Sequence, residues 1–61
     1  MIIFTGDYIQ PRATNALTEV VDIVDNMTVL CADGNTYTAD DDTIVQVYSR
    51  LEYQALTEAT A

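Results

Sequence analysis

Turn-forming residues break this chain at short, regular intervals: Gly6-Asp7, Pro11, Asp25-Asn26, Asp33-Gly34-Asn35 and Asp40-Asp41-Asp42. Between them lie runs rich in Val, Ile, Thr and Tyr, the side chains that suit a pleated, half-buried surface. The spacing predicts five or six short strands: Ile2 to Thr5, Tyr8 to Arg12, Leu17 to Asp25, Thr28 to Ala32, Thr36 to Ala39 and Thr43 to Tyr48. No internal repeat, linker or low-complexity stretch interrupts the series. A chain of 61 residues leaves room for one domain, residues 1–61, with a single modest core. The expected fold is mainly β: a small, strongly bent antiparallel barrel over residues 2–48 with one short C-terminal helix.

Alternation within the runs assigns Ile9, Val21, Ile23, Val29, Cys31, Val45 and Val47 to the interior. The run LTEVVDIVD does not fit one clean period of two, because Glu19, Asp22 and Asp25 fall out of step. A bulge or strong bend midway resolves the mismatch, as small barrels require when one strand serves both sides of the closure. Thr28-Val29-Leu30-Cys31 and Thr36-Tyr37-Thr38-Ala39 then form a hairpin whose turn is set by Asp33-Gly34, residues that tolerate positive φ.

The last segment changes character. Ser49-Arg50-Leu51-Glu52 matches the capping box, in which Ser at N-cap and Glu at N3 satisfy each other's backbone donors. Tyr48 and Tyr53 occupy the staple positions around it. A helix over residues 50–59 follows, with Leu51, Ala55 and Leu56 as its inward stripe. The composition of Glu52 through Ala59 favours this over an extension of the last strand.

Ten acids face only Arg12 and Arg50, for a net charge of -8, with no lysine and no histidine. Such a surface repels phosphate backbones and anionic membranes and attracts basic protein surfaces. Lack of histidine removes the commonest general base and metal ligand, so no catalytic residue, metal site or cofactor is expected and the chain is not read as an enzyme. Cys31, in the apolar setting TVLCA, reads as a buried small hydrophobe. The start, MIIFTGDY, lacks the basic n-region of a signal peptide and the length of a membrane span. A cytoplasmic location is the expectation, the host cytoplasm if the chain is phage-encoded. Asn26-Met27-Thr28 matches the glycosylation sequon by chance.

The series Gly6-Asp7-Tyr8-Ile9, Glu19-Val20-Val21-Asp22-Ile23, Thr28-Val29-Leu30, Asp33-Gly34 and Tyr37-Thr38 resembles small SH3-like barrels of the KOW and Tudor kind over roughly residues 4–48. The family glycine before the second strand is Thr18 here, and the basic loops of nucleic-acid-binding KOW domains are absent. The Tudor resemblance implies an aromatic cage for a methylated cation, for which Tyr8, Tyr37, Tyr48 and Tyr53 are the available rings. Two of these are already assigned to the helix staple.

The stretch DGNTYTADDD, Asp33 to Asp42, admits three readings. A calcium loop needs ligands alternating around a mid-loop glycine, whereas Gly34 follows Asp33 at once and Tyr37 and Ala39 stand where ligands are wanted. A pair of catalytic carboxylates needs a groove that so small a chain does not offer. The third reading is an acidic face of Asp33, Asp40, Asp41 and Asp42 with Tyr37, extended by Glu19, Asp22 and Asp25 where the bent strand turns them outward. Its partner would be the basic surface of a host protein, most readily one built to hold nucleic acid, with no direct contact to nucleic acid or membrane. In size and acidity the chain is similar to anti-CRISPR and other DNA-mimic inhibitors. The alternative is a small structural or accessory barrel whose acidity keeps it soluble.

Overall fold

The computed structural model describes residues 2–60, with side chains through residue 58. Its elements are β1 (Tyr8–Pro11), β2 (Thr18–Asp25), β3 (Thr28–Cys31), β4 (Thr36–Thr38), β5 (Ile44–Tyr48) and α1 (Arg50–Thr60). All strands belong to one antiparallel sheet, in the order β4-β3-β2-β1-β5. The sheet is bent and barrel-like but not closed: β4 and β5 are its two edges, and Ala39 to Thr43 connect them.

The eight-residue β2 makes the bend. Its start pairs with β1, Tyr8 opposite Glu19 and Ile9 opposite Thr18, and its remainder pairs with β3. Register shifts fall between Val20 and Asp22 and again between Ile23 and Asp25, where β3 advances by only one residue. Val21 and Val24 are therefore the extra residues of two bulges, the device that bends a strand and re-aims its side chains. A third shift, between Gln10 and Pro11, makes Val45 the extra residue of β5. Pro11, which has no N–H to give a ladder, sits at that irregularity, past the last residue of β1 that pairs with β2.

These bulges decide the core. Ile9, Val20, Val29, Cys31, Tyr37 and Ile44 form it, with Ile3 and Val47 packed against it. The expected interior positions Ile9, Val29 and Cys31 are buried and Val47 is half-buried, but Val21, Ile23 and Val45 are exposed. Strict alternation misplaces Val21 and Val45 because each is the extra residue of a bulge, which puts Val20 and Ile44 inside, whereas Ile23 keeps the face of its partner Val29 but lies past the last residue of β2 that pairs with β1.

Residues 2–5 form no strand. Phe4 instead opens a turn in which the Asp7 N–H donates to the Phe4 carbonyl at 3.1 Å and the Phe4 N–H donates to Asp7 Oδ2 at 2.9 Å. Gly6 lies at the positive φ of 92° that this turn requires. The Phe4 donor is thus taken by a side chain three residues away, and only Ile3 of the segment joins the core.

The helix is capped as the sequence predicts: the Ser49 N–H donates to Glu52 Oε1 at 2.9 Å and the Glu52 N–H donates to Ser49 Oγ at 3.1 Å. Its facing differs from expectation. Leu51 is 77% exposed and Leu56 44% exposed, while Tyr53 is half-buried. The cause is Tyr8 on β1, whose ring stacks on Tyr53 with centroids 3.7 Å apart and planes 7° from parallel. The Arg50 guanidinium packs over Gly6, where a Cβ would lie 2.8 Å from Nη2, so the first helical turn rests on the Phe4–Asp7 turn.

Candidate interaction surface

The β3–β4 turn holds the first of the candidate acids. Gly34, at φ 89°, lets its N–H donate to the Cys31 carbonyl at 3.0 Å, while the Cys31 N–H donates to Asn35 at 3.0 Å. Asp33 closes the turn from above: Oδ1 accepts the Asn35 N–H at 2.9 Å and Oδ2 accepts the Tyr37 hydroxyl at 2.6 Å. The Tyr37 hydroxyl, and then the Asn35 N–H, hold the Asp33 carboxyl below its ordinary value of 3.8. The same bond to Asp33 pushes the Tyr37 hydroxyl above its ordinary value. Tyr37 therefore serves as a core residue with a tethered hydroxyl.

Asp40, Asp41 and Asp42 lie in the β4–β5 connection, beyond the other end of β4 from Asp33. Four steps of extended chain run from Asn35 to Ala39, about 13 Å, so the acids of this stretch form two groups in space. Asp33 has Glu19 near it, through the Ala32 N–H donated to the Glu19 carbonyl at 2.8 Å. On the Asp40 side, the Ala39 N–H donates to the Met27 carbonyl at 2.7 Å, which sets the β2–β3 turn and Asp25 beside the connection.

Arg12 shapes the connection. Nε donates to the Asp42 carbonyl at 3.0 Å, Nη2 to the Asp41 carbonyl at 3.3 Å, and the Arg12 backbone N–H to the Thr43 carbonyl at 2.8 Å. Asp40 Oδ1 accepts the Thr43 N–H at 2.8 Å, and the Asp40 carbonyl accepts the Ile44 N–H at 2.9 Å. Asp40 is half-buried by this capping, whereas Asp41 and Asp42 are exposed. Sequence spacing could not have revealed the Arg12 clamp, which spans 29 and 30 residues.

Other acids repeat the pattern that Asp33 and Asp40 show. Asp22 Oδ1 accepts the Ile23 N–H, Asp25 Oδ1 the Met27 N–H and Asp7 Oδ2 the Phe4 N–H. With Glu52 in the capping box, these carboxylates satisfy backbone donors at turns, at the bulged part of β2 and at the helix start. Glu19, Asp22, Asp25, Asp33, Asp41 and Asp42 keep side chains wholly or partly at the surface.

The rings implied by the Tudor resemblance do not make an open cage. Tyr8 and Tyr53 lie face to face at 3.7 Å, a separation that leaves no space for a cation between them, and Tyr37 is buried elsewhere. Tyr48, opposite Tyr8 in the sheet, lines a shallow apolar groove with Glu52, Ala55 and Leu56. Among the described residues no group of three or more His, Cys, Asp or Glu converges as a metal site would require, and no helix is long and apolar enough to cross a membrane.

No family model, no curated protein and no solved structure matches this chain.

Proposed function

We propose that this chain is an acidic protein-interaction module that binds a basic, nucleic-acid-binding surface of another protein, as DNA-mimic inhibitors do. The carrying observation is the fate of its only two cations. Arg12 donates to the backbone carbonyls of Asp41 and Asp42, and Arg50 packs over Gly6. Two cations against ten acids leave a net charge of -8. The remaining negative field draws a basic partner and speeds encounter with it. The KOW and Tudor resemblance draws support from the topology, in which β1 to β4 form a meander and β5 returns beside β1.

A second reading, a structural or accessory barrel, draws support from the capping bonds of Asp7, Asp22, Asp25, Asp33, Asp40 and Glu52, which give those acids local work. One experiment separates the two. The immobilised protein is offered lysate from its source organism at low and at high ionic strength, with and without duplex DNA as competitor. An interaction module retains a basic protein that salt and DNA both displace, and the variant Asp40→Asn, Asp41→Asn, Asp42→Asn retains less of it. Retention indifferent to salt, DNA and the triple substitution overturns the proposal in favour of the structural reading.

A further inference from the structure

Residues 21–27, from Val21 to Met27, are all exposed although most of them lie in a strand. Val21 is 48%, Ile23 39%, Val24 55% and Met27 54% exposed, a concentration of large apolar side chains on one hairpin. Two bulges supply part of it: Val21 and Val24 are the extra residues of β2, while Ile23 pairs with Val29 and Met27 lies in the turn. β1 stops pairing with β2 at Glu19, so beyond Val20 the arm projects with β3 and β4 on one side only. Large apolar side chains exposed together on one arm, with acidic residues among them, are the mark of a contact site.

The form of the contact follows from the same bonds. Addition of a strand along the free edge of β2 is disfavoured, because the bulges break the ladder and the Ile23 N–H is already given to Asp22 Oδ1. Side chains must make the contact. Its occupant follows from charge: Asp22 and Asp25 alternate with the apolar residues, and the chain carries -8. A second copy meeting this arm about a two-fold axis would set like carboxylates against each other. We therefore infer that the β2–β3 arm docks a protein partner presenting apolar side chains bordered by Lys and Arg, the apolar residues forming the contact centre and Asp22 and Asp25 its rim. This rests on the reading that the chain engages a basic protein, and it moves the contact centre from the Asp40–Asp42 connection to the arm.

The test uses three short synthetic amphipathic peptides as probes, composed of Leu and Lys, of Ser and Lys, and of Leu and Glu, titrated into isotope-labelled protein and followed by amide NMR. The Leu/Lys peptide is expected to shift the resonances of Val21 to Met27 and to bind about tenfold more tightly than either control. Val21→Ser with Val24→Ser, and separately Met27→Gln at the turn, should each lose about tenfold in affinity for that peptide while thermal melts show the fold retained. Equal binding of the Leu/Lys and Ser/Lys peptides, with shifts centred on Asp41 and Asp42, overturns the inference while the proposed function stands. No binding by either lysine peptide removes both. Equal binding of the Leu/Glu peptide, or folded variants that keep full affinity, overturns the arm as a site for a basic partner. Concentration-dependent sedimentation that the variants abolish makes a second copy the occupant, and that outcome also overturns it.

Discussion

The bulge at Val21 can be tested by comparing two adjacent valines that differ only in which way the chain turns them. Val20 is fully buried and Val21 is 48% exposed. Replacing Val20 by Ala removes two methyl groups from the interior, about 1.6 kcal/mol of transfer free energy, and the residual cavity raises the cost to about 2–3 kcal/mol. The same change at Val21 removes groups already half in water and should cost less than about 1 kcal/mol. A domain of this size holds roughly 3–9 kcal/mol in all, so the difference of about 2 kcal/mol is a large share. It corresponds to roughly 8–16 °C between the melting midpoints of the two variants. Circular dichroism melts, with urea titrations to confirm unchanged m-values, measure it directly. The pair Ile44 and Val45 gives an independent check, with Ile44→Val costing about 0.5–1.5 kcal/mol and Val45→Ala little, since Ile44 is buried and Val45 is 40% exposed. Melting of Val21→Ala at or below Val20→Ala would refute the bulge position and return Val21 to the interior.

Ser49→Ala should cost about 0.5–2 kcal/mol and lower the helical signal, because the Glu52 N–H loses its acceptor; an unchanged melt would show that the cap carries no weight. The Ser49 backbone N–H, and then the Ser49 hydroxyl, hold the Glu52 carboxyl below its ordinary value of 4.5, so its contribution is complete above that value and is lost as pH falls through the lower folded value. Helical circular dichroism should therefore decline on acidification below the ordinary glutamate range, and Glu52→Gln, which keeps an acceptor at N3, should abolish that step. Burial first, and Asp33 second, push the Cys31 thiol up to about 11, so native protein should resist iodoacetamide at neutral pH while urea-unfolded protein reacts; equal rates would place the thiol at the surface.

Features set by neighbours in sequence were legible before the structure. Gly34 takes the positive φ its turn needs, and Ser49 and Glu52, three residues apart, make both bonds of their capping box. The five observed strands and the helix fall where turn signals and strand-forming residues placed them. Features set by distant partners were not legible. A period of two cannot say that Val21, Val24 and Val45 are extra residues, because a bulge exists only relative to the strand opposite. Spacing alone places Leu51 on the inner face, whereas Tyr8, more than forty residues earlier in the chain, stacks on Tyr53 and turns the helix that way. Asp33 and Tyr37 both suit a partner-binding face by sequence, yet nothing in their spacing discloses that each is the other's hydrogen-bond partner.

The acids carry two separate problems, where they stand and why they are charged. Local capping answers the first for Asp7, Asp22, Asp25, Asp33 and Asp40, each of which accepts a nearby backbone N–H. It does not answer the second, because Asn or Ser caps such donors about as well as Asp and brings no charge. Choosing Asp at all five, with no lysine anywhere in the chain, leaves a negative field that folding does not require and that self-repulsion makes mildly costly. Solubility accounts for charge of this magnitude on a small domain, but mixed surfaces reach it with both signs present. Two arginines against ten acids do not restore that mixture. Capping fixes the positions of these carboxylates, and the charge they carry is then free to act outward, on a partner of opposite sign.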